Sequence, residues 1–412
     1  MVVKVKYIDL VIWILLVFLL LVDTLNGILD YNDILLPISV SQIYKLGVVF
    51  LLLFRLLITP RYLKYIAIIF ALLILPSLHS FAVERIGIGG FVQDIIKVFK
   101  YLTLAISFYY FRMIFETSKK ELFYHYVFWI KVSFWIVAIN LCLKFVGLGT
   151  PMYETGNIGS KGYFIAGNEI SALLLILSGF LGYYYLVIKN SVLIYILYGI
   201  GSLLLGFLIS SKTGMVGVFL IQILILLSSG KLRLNNSKHR GVIKYLIGVF
   251  ILISGGIVFF IRNSAIYERY TYFWHKMDLL TFVLSSRNLF FKEMLVIFSQ
   301  EYSLIDKLIG VGNYHYEQLA SKIIEIDVLD LFFSNGYLGV FVFIILLLLL
   351  YLQIRRNSKN NNFPYARLSI LMLILLSVLS CMSGHIFNSG LSGIYIGFIF
   401  ALSFKEVTWN KG

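Results

Sequence analysis

Long apolar runs constrain this chain more than any other feature. A helix needs about 20 apolar residues to cross the hydrocarbon core of a bilayer, and the sequence supplies such runs one after another. They lie near residues 7–22, 34–57, 62–79, 98–115, 123–148, 163–188, 191–210, 213–229, 242–261, 331–354, 368–384 and 388–404. Composition excludes the soluble alternative. With 60% hydrophobic and 13% charged residues, the chain lacks the charged surface that water demands. The expected fold is an all-α polytopic membrane protein of about twelve transmembrane helices, one integral membrane domain over 1–412. Pro37 and Pro60 bracket the second span, and Ser210–Gly214 reads as either a tight turn or a kink. The first run follows Lys4 and Lys6 and ends at Asp23 without a small-x-small site, so it reads as a retained span.

The formal charge of +15 does not form a phosphate-binding face, and no nucleic-acid partner is expected. The bases fall instead in short clusters between apolar runs, which is a topology signal. With a cytoplasmic N-terminus, the inner loops hold Arg61 and Lys64; Arg112, Lys119 and Lys120; Lys189; Lys231, Arg233, Lys238 and Arg240; and Arg355, Arg356, Lys359 and Arg367. Lys405 and Lys411 follow in the tail, whereas the outer loops at 23–33 and 151–162 are poor in bases. Both termini are therefore expected on the cytoplasmic side of a bacterial plasma membrane, with the lipid bilayer around the spans. The one large polar interval, 262–334, then faces the extracytoplasmic side. Cys142 and Cys381 lie in apolar runs and form no CxxC pair.

That polar interval carries the candidate chemistry. Its segment SSRNLFFKEMLVIFSQ starts with an N-cap candidate at Ser285 or Ser286. Apolar residues recur there at helical spacing, so an interfacial helix is expected with Arg287 at its head. An arginine beside free helix N–H groups suits a phosphate oxygen or the phosphate of a lipid. Glu325, Asp327 and Asp330 crowd the mouth of the next span. At 100° per residue, Asp327 and Asp330 lie about 60° apart while Glu325 diverges, so one carboxylate is free to act as a base while others cap the helix. The same divergence argues against a metal site, and no cofactor is expected. Gly336 and Gly339 suit close helix packing.

Charges at the outer boundary are informative because they are costly unless paired or solvated. Lys212, in the turn SSKTG, either snorkels to headgroups or clamps an anion. Asn168 and Glu169 open the sixth span, where a carboxylate also suits the helix dipole. Asp94, Lys97 and Lys100 lie on a stretch expected to form an amphipathic helix on the outer surface, with the lysines as interface anchors. His385, in SGHIFNSG, faces outward and either lines the site or does not. His315 reads as a surface residue. The chain has no P-loop, GxGxxG, GxSxG or HExxH signature, and its inner loops are short. A substrate must then come from the membrane or the outer face.

The arrangement resembles the O-antigen and capsular polysaccharide polymerases of the Wzy type and their relatives, the O-antigen ligases. The likeness covers most of the chain in layout and four short stretches in residues: GYFIAGNEIS at 162–171, SSKTG with Lys212 where arginine is usual, SSR with Arg287, and Glu325 followed by Gly336-Tyr-Leu-Gly339. The ligases characteristically carry histidine followed by Asn, Ser or Gln at the closing position. Glu325–Ile326 departs from that pattern and looks more like the polymerases. The resemblance implies a C-type (GT-C-like) membrane glycosyltransferase with one large extracytoplasmic loop. Its donor would be a polyprenyl-diphosphate-linked oligosaccharide, and a flippase and a chain-length regulator would be its partners. It implies Glu325 as base and Arg287 as leaving-group cation, with Lys212, Asn168, Glu169, His385 and Asp327 as substrate contacts. A ligase or a lipid-linked-oligosaccharide flippase are the alternatives.

Overall fold

A computed structural model describes residues 2–34, 36, 38–117, 120–154, 156–229 and 265–407. The expected ninth span (242–261), the inner bases Lys119, Lys231, Arg233, Lys238, Arg240 and Lys411, and the first residues of the polar interval lie outside them. Among the described residues regular structure is helical, apart from isolated bridges at Thr150–Gly162 and Tyr153–Ile158. The helices are α1 (Val2–Tyr31), α2 (Val40–Ile58), α3 (Leu63–Ala82), α4 (Ile88–Thr117), α5 (Lys120–Cys142), α6 (Gly167–Tyr183), α7 (Val192–Ile209) and α8 (Val218–Ser228). The polar interval adds α9 (Ala265–Lys276), α10 (Leu279–Leu284), α11 (Arg287–Gln300), α12 (Leu304–Ile309) and α13 (Asn313–Leu319). The chain then returns to apolar helices with α14 (Asp327–Ser358), α15 (Ala366–Ser380) and α16 (Ser392–Ala401).

Seven of the described helical segments are long and apolar enough to cross a membrane: Tyr7–Tyr31, Val40–Ile58, Pro60–Ala82, Leu122–Val146, Gly167–Ile188, Val192–Ile209 and Asp327–Ser358. Thr213–Ser228, Ala366–Ser380 and Ser392–Phe404 are apolar but shorter. The chain is thus a polytopic membrane protein. It divides into two compact units, one of residues 1–19, 38–129 and 283–412, the other of residues 20–37 and 130–282.

In the first unit, α16 lies along α4. Trp129 stacks on Tyr395 with ring centroids 4.6 Å apart, and Phe398 meets Phe111 edge to face at 5.2 Å. Offset and edge-on ring pairs of this kind add to what area burial alone contributes. The stretch expected as a separate surface helix is instead the first part of the 30-residue α4. Its charges explain why. Asp94 is buried and accepts the Tyr314 N–H at 2.5 Å, while Lys97 pairs with Glu317. Of the two lysines expected as interface anchors, Lys97 is therefore matched by α13, far along the chain, and Lys100 is exposed.

The polar interval has its own small core. Met294, Phe298, Tyr302, Val311, Tyr316, Ile324, Ile326 and Phe333 are buried together. The apolar stripe of α11 thus packs largely into protein, although Leu289, Leu295 and Val296 remain exposed. α12 is tied to the α3–α4 turn through Asp306. The Arg85 guanidinium donates to both carboxylate oxygens, at 2.5 and 2.8 Å, and His79 Nε2 lies 3.1 Å away. Ser303 caps α12 by a reciprocal bond with the same carboxylate.

α14 is two helices in series. Gly336 breaks it with φ +64° and ψ −166°. A Cβ there would lie 2.6 Å from the Leu308 carbonyl and 2.7 Å from the Gly310 nitrogen. The glycine was expected to allow helix packing. It does more, since only glycine adopts this backbone freely.

In the second unit, α6, α7 and α8 are joined by Ser171 and Ser211, whose hydroxyls are 2.6 Å apart, and by Tyr195 donating to the Gln222 carbonyl at 2.7 Å. The 210–214 stretch is a tight turn. Ser210 is left-handed, at φ 62°, and a π-helical turn over Thr213–Gly217 leads into α8.

Candidate functional site

Three stretches of the first unit converge on Arg287: the start of α11, the turn before α14, and the loop between α15 and α16. At α11, Ser285 and Ser286 are both left-handed, at φ 55° and 67°. Ser286 occupies the N-cap position, as expected, but makes no side-chain capping bond. The reversal at these residues leads into the helix, with Arg287 as its first residue. Its Nη2 donates to Glu325 Oε2 at 3.0 Å and its Nη1 to the Met382 carbonyl at 3.2 Å. Its Nε is buried and lacks a hydrogen-bond partner. The arginine side chain is 13% exposed and that of Glu325 is 34%, so the pair opens to the outside on the carboxylate side.

Glu325 holds φ 59°, a conformation that costs a non-glycine residue about 1–2 kcal/mol. Its neighbours enforce it. Upstream, the Ile324 N–H reaches the Tyr316 hydroxyl at 3.4 Å, and that hydroxyl donates to Asp330 Oδ1 at 2.7 Å. Downstream, Gly384 lies against its backbone, where a Cβ would come within 2.5 Å of the Glu325 carbonyl carbon and oxygen. Asp327, expected to contact substrate, is buried and accepts three backbone N–H groups: His385 at 2.8 Å to one oxygen, Ile386 at 3.1 Å and Phe387 at 2.8 Å to the other. The first turn of α14 thus clamps the loop that carries His385, itself at φ 64°.

Chemically, the site sets one cation and one carboxylate side by side at a partly open surface. The guanidinium is held at both Nη atoms, and its Nε is left without a partner. The carboxylate is about a third exposed and stands on a strained turn, as functional sites often hold their reactive groups. Among the described residues no group of three His, Cys, Asp or Glu side chains is set to hold a metal ion.

Arg287 and Glu325 are thus in contact, and Asp327 and His385 lie in the turn and loop beside them. His315 is not among them. It sits on α13, half-buried with its Nδ1 shielded, and burial followed by the positive Arg85 lowers its pKa, favouring neutral imidazole. Lys212, Asn168 and Glu169 belong to the second unit. Lys212 donates to the Phe282 carbonyl and lies over that ring, 4.6 Å from its centroid. Asn168 and Glu169 stand in the first turn of α6, whose N-cap is Ala166. The Ser171–Ser211 contact joins that helix start to the Lys212 turn. Sequence reasoning missed Tyr316, the Met382 carbonyl and Gly384. None has a local signal, because each acts on a residue distant in the chain or through its backbone.

Residues 273–407 match the model of the family described as O-antigen ligase like membrane protein. The match supports the O-antigen ligase/polymerase superfamily over this part of the chain. No curated protein matches the chain. The superfamily match contains Arg287, Glu325, Asp327 and His385, whereas Lys212, Asn168 and Glu169 precede it. It supports a polysaccharide-related ligase or polymerase function in a membrane, of a glycosyltransferase-like kind.

Proposed function

We propose that the protein polymerises polysaccharide repeat units at the outer face of a bacterial plasma membrane, transferring a glycan from polyprenyl diphosphate to the next lipid-linked repeat. The observation that carries this reading is the Arg287–Glu325 contact, a cation with an unpartnered buried Nε beside an accessible carboxylate. In this mechanism Arg287 takes an oxygen of the donor diphosphate, and Glu325 accepts the proton of the acceptor hydroxyl. The hydroxyl oxygen bonds to the anomeric carbon as the carbon–oxygen bond to the diphosphate breaks, and the electron pair leaves with the lipid diphosphate. A positioned base is worth about 10²–10⁴-fold, and charge stabilisation of a leaving group is of comparable size. Lys212, Asn168, Glu169 and His385 remain the proposed substrate contacts. The accompanying topology has about twelve spans, both termini cytoplasmic and residues 262–334 outside, in a C-type glycosyltransferase body. A flippase and a chain-length regulator are its proposed partners.

The test is direct. Glu325→Gln and Arg287→Ala proteins, present in the membrane at normal level, are each expected to lose long polymer, with rates down about 10²–10⁴-fold. Full-length polymer from both would overturn the assignment. The ligase-like name of the matching family favours a second reading, in which the acceptor is a terminal one such as lipid A core. A glycolipid gel of a deletion strain separates them: single repeats indicate a lost polymerase, long unattached lipid-linked chains a lost ligase.

A further inference from the structure

We infer that Asp327 is a positioning residue, which fixes the 382–387 loop and through it aims Arg287 at Glu325. The inference rests on the reading of Arg287 and Glu325 given above. The contacts close a ring. Glu325 is two residues from Asp327; Asp327 holds the amides of His385, Ile386 and Phe387; and the same loop turns back through Gly384 onto the Glu325 backbone. Its Met382 carbonyl then takes Arg287 Nη1, while Nη2 returns to Glu325.

Asp327 is poorly placed to hold a sugar. A carboxylate has about four lone-pair sites, and three here receive backbone N–H groups inside a buried pocket. Arg287, by contrast, depends on the loop. With Nη1 and Nη2 both engaged, the guanidinium plane is fixed and its unpartnered Nε points one way. Without the Met382 carbonyl in place the fork keeps a single anchor and is free to swing about it. The end of α15 holds the start of the loop, where the Met382 and Ser383 N–H groups meet the Leu379 carbonyl, and Ser392 donates to the Ile386 carbonyl; Asp327 and the Gly384 contact are what tie the loop to the Glu325 turn.

The experiment uses the purified full-length protein in vesicles, with a polyprenyl-diphosphate-linked repeat as substrate and Cys142→Ser as background. The exposed thiol of Cys381, at the start of the loop, reports loop order through its maleimide labelling rate. Asp327→Ala is expected to raise that rate several-fold and to lower kcat by about 10–100-fold, the scale of a misplacement near 1 Å. Adding Asp327→Ala to Arg287→Ala should cost less than about 2-fold further, because residues acting as one unit are not additive. Asp327→Asn, which retains one acceptor oxygen, should fall between. Gly384→Ala should reproduce the phenotype from the other side of the loop, and it replaces Asp327→Ala if that protein does not accumulate. Losses that multiply in the double variant, or lost turnover with the Cys381 labelling rate unchanged, would overturn the inference by making Asp327 a direct contributor. Full activity in Arg287→Ala and Glu325→Gln would instead remove the functional reading, while the labelling rates would still report the anchor.

Discussion

Arg287 and Glu325 are 38 residues apart in sequence and 3.0 Å apart in space. Each was legible alone, one as a cation at a helix start and the other as a carboxylate at a span mouth. Their pairing was not, since it depends on two left-handed serines and on a loop about 60 residues further on, which no local periodicity encodes. The pair also orders the proposed reaction. While the guanidinium donates to Glu325, part of the carboxylate is occupied, and a diphosphate that takes the arginine releases it. Donor binding is therefore expected to precede productive acceptor binding. Initial-rate patterns with both substrates varied should show a compulsory order, and Arg287→Ala should abolish it. A second residue-scale expectation concerns Asp306. Burial acts to raise its pKa, but the bonds from Arg85 and Ser303 outweigh it and bring the pKa down to about 2, from an ordinary 3.8. A depressed carboxylate stabilises the fold above its unfolded value and loses that stabilisation as pH falls toward the folded one. The contribution, about 2 kcal/mol, should hold from neutral pH to about pH 4 and fade below it. Asp306→Asn should lower the thermal midpoint by a few degrees at pH 7, with the gap to the parent closing as the buffer is taken toward pH 2.

Among the elements, the apolar helices were readable because lipid imposes length and composition on them. α4 was split in two by sequence reasoning, because Phe91, Ile95, Ile96 and Phe99 are spaced as on an amphipathic surface helix, with Asp94, Lys97 and Lys100 among them. Tyr314 and Glu317, which meet Asp94 and Lys97, are 220 residues further along the chain, so local spacing alone favoured a surface over protein. The same kind of blindness applied to Gly336, read as a packing residue and found at a positive φ inside α14. Replacing it with alanine places a methyl between the Leu308 carbonyl and the Gly310 nitrogen. Gly336→Ala should then free α12 from the start of α14. The expected signs are a lower unfolding temperature and new protease cleavage within residues 303–319, with Gly47→Ala, where a Cβ meets nothing within 4 Å, as the neutral control.

At the scale of the whole molecule, the class was plain from 60% hydrophobic residues in spaced runs, and the positive-inside bias proposes an orientation. Reporter fusions check it. A periplasm-active enzyme fused after residue 320 should be active and one at the C-terminus silent, and the reverse pattern would invert the topology. What composition could not convey is that the first unit is drawn from three separated segments, with residues 283–412 returning to residues 38–129. That arrangement has a consequence for how the protein is made. Arg85 leaves the ribosome 221 residues ahead of Asp306, which at about 5–20 residues per second is a wait of roughly ten to forty-five seconds. Throughout that interval Arg85 and Lys97 lack Asp306 and Glu317, the carboxylates that pair with them. A half-made chain therefore advertises unmatched charge to the cell's membrane proteases, and only the finished one conceals it.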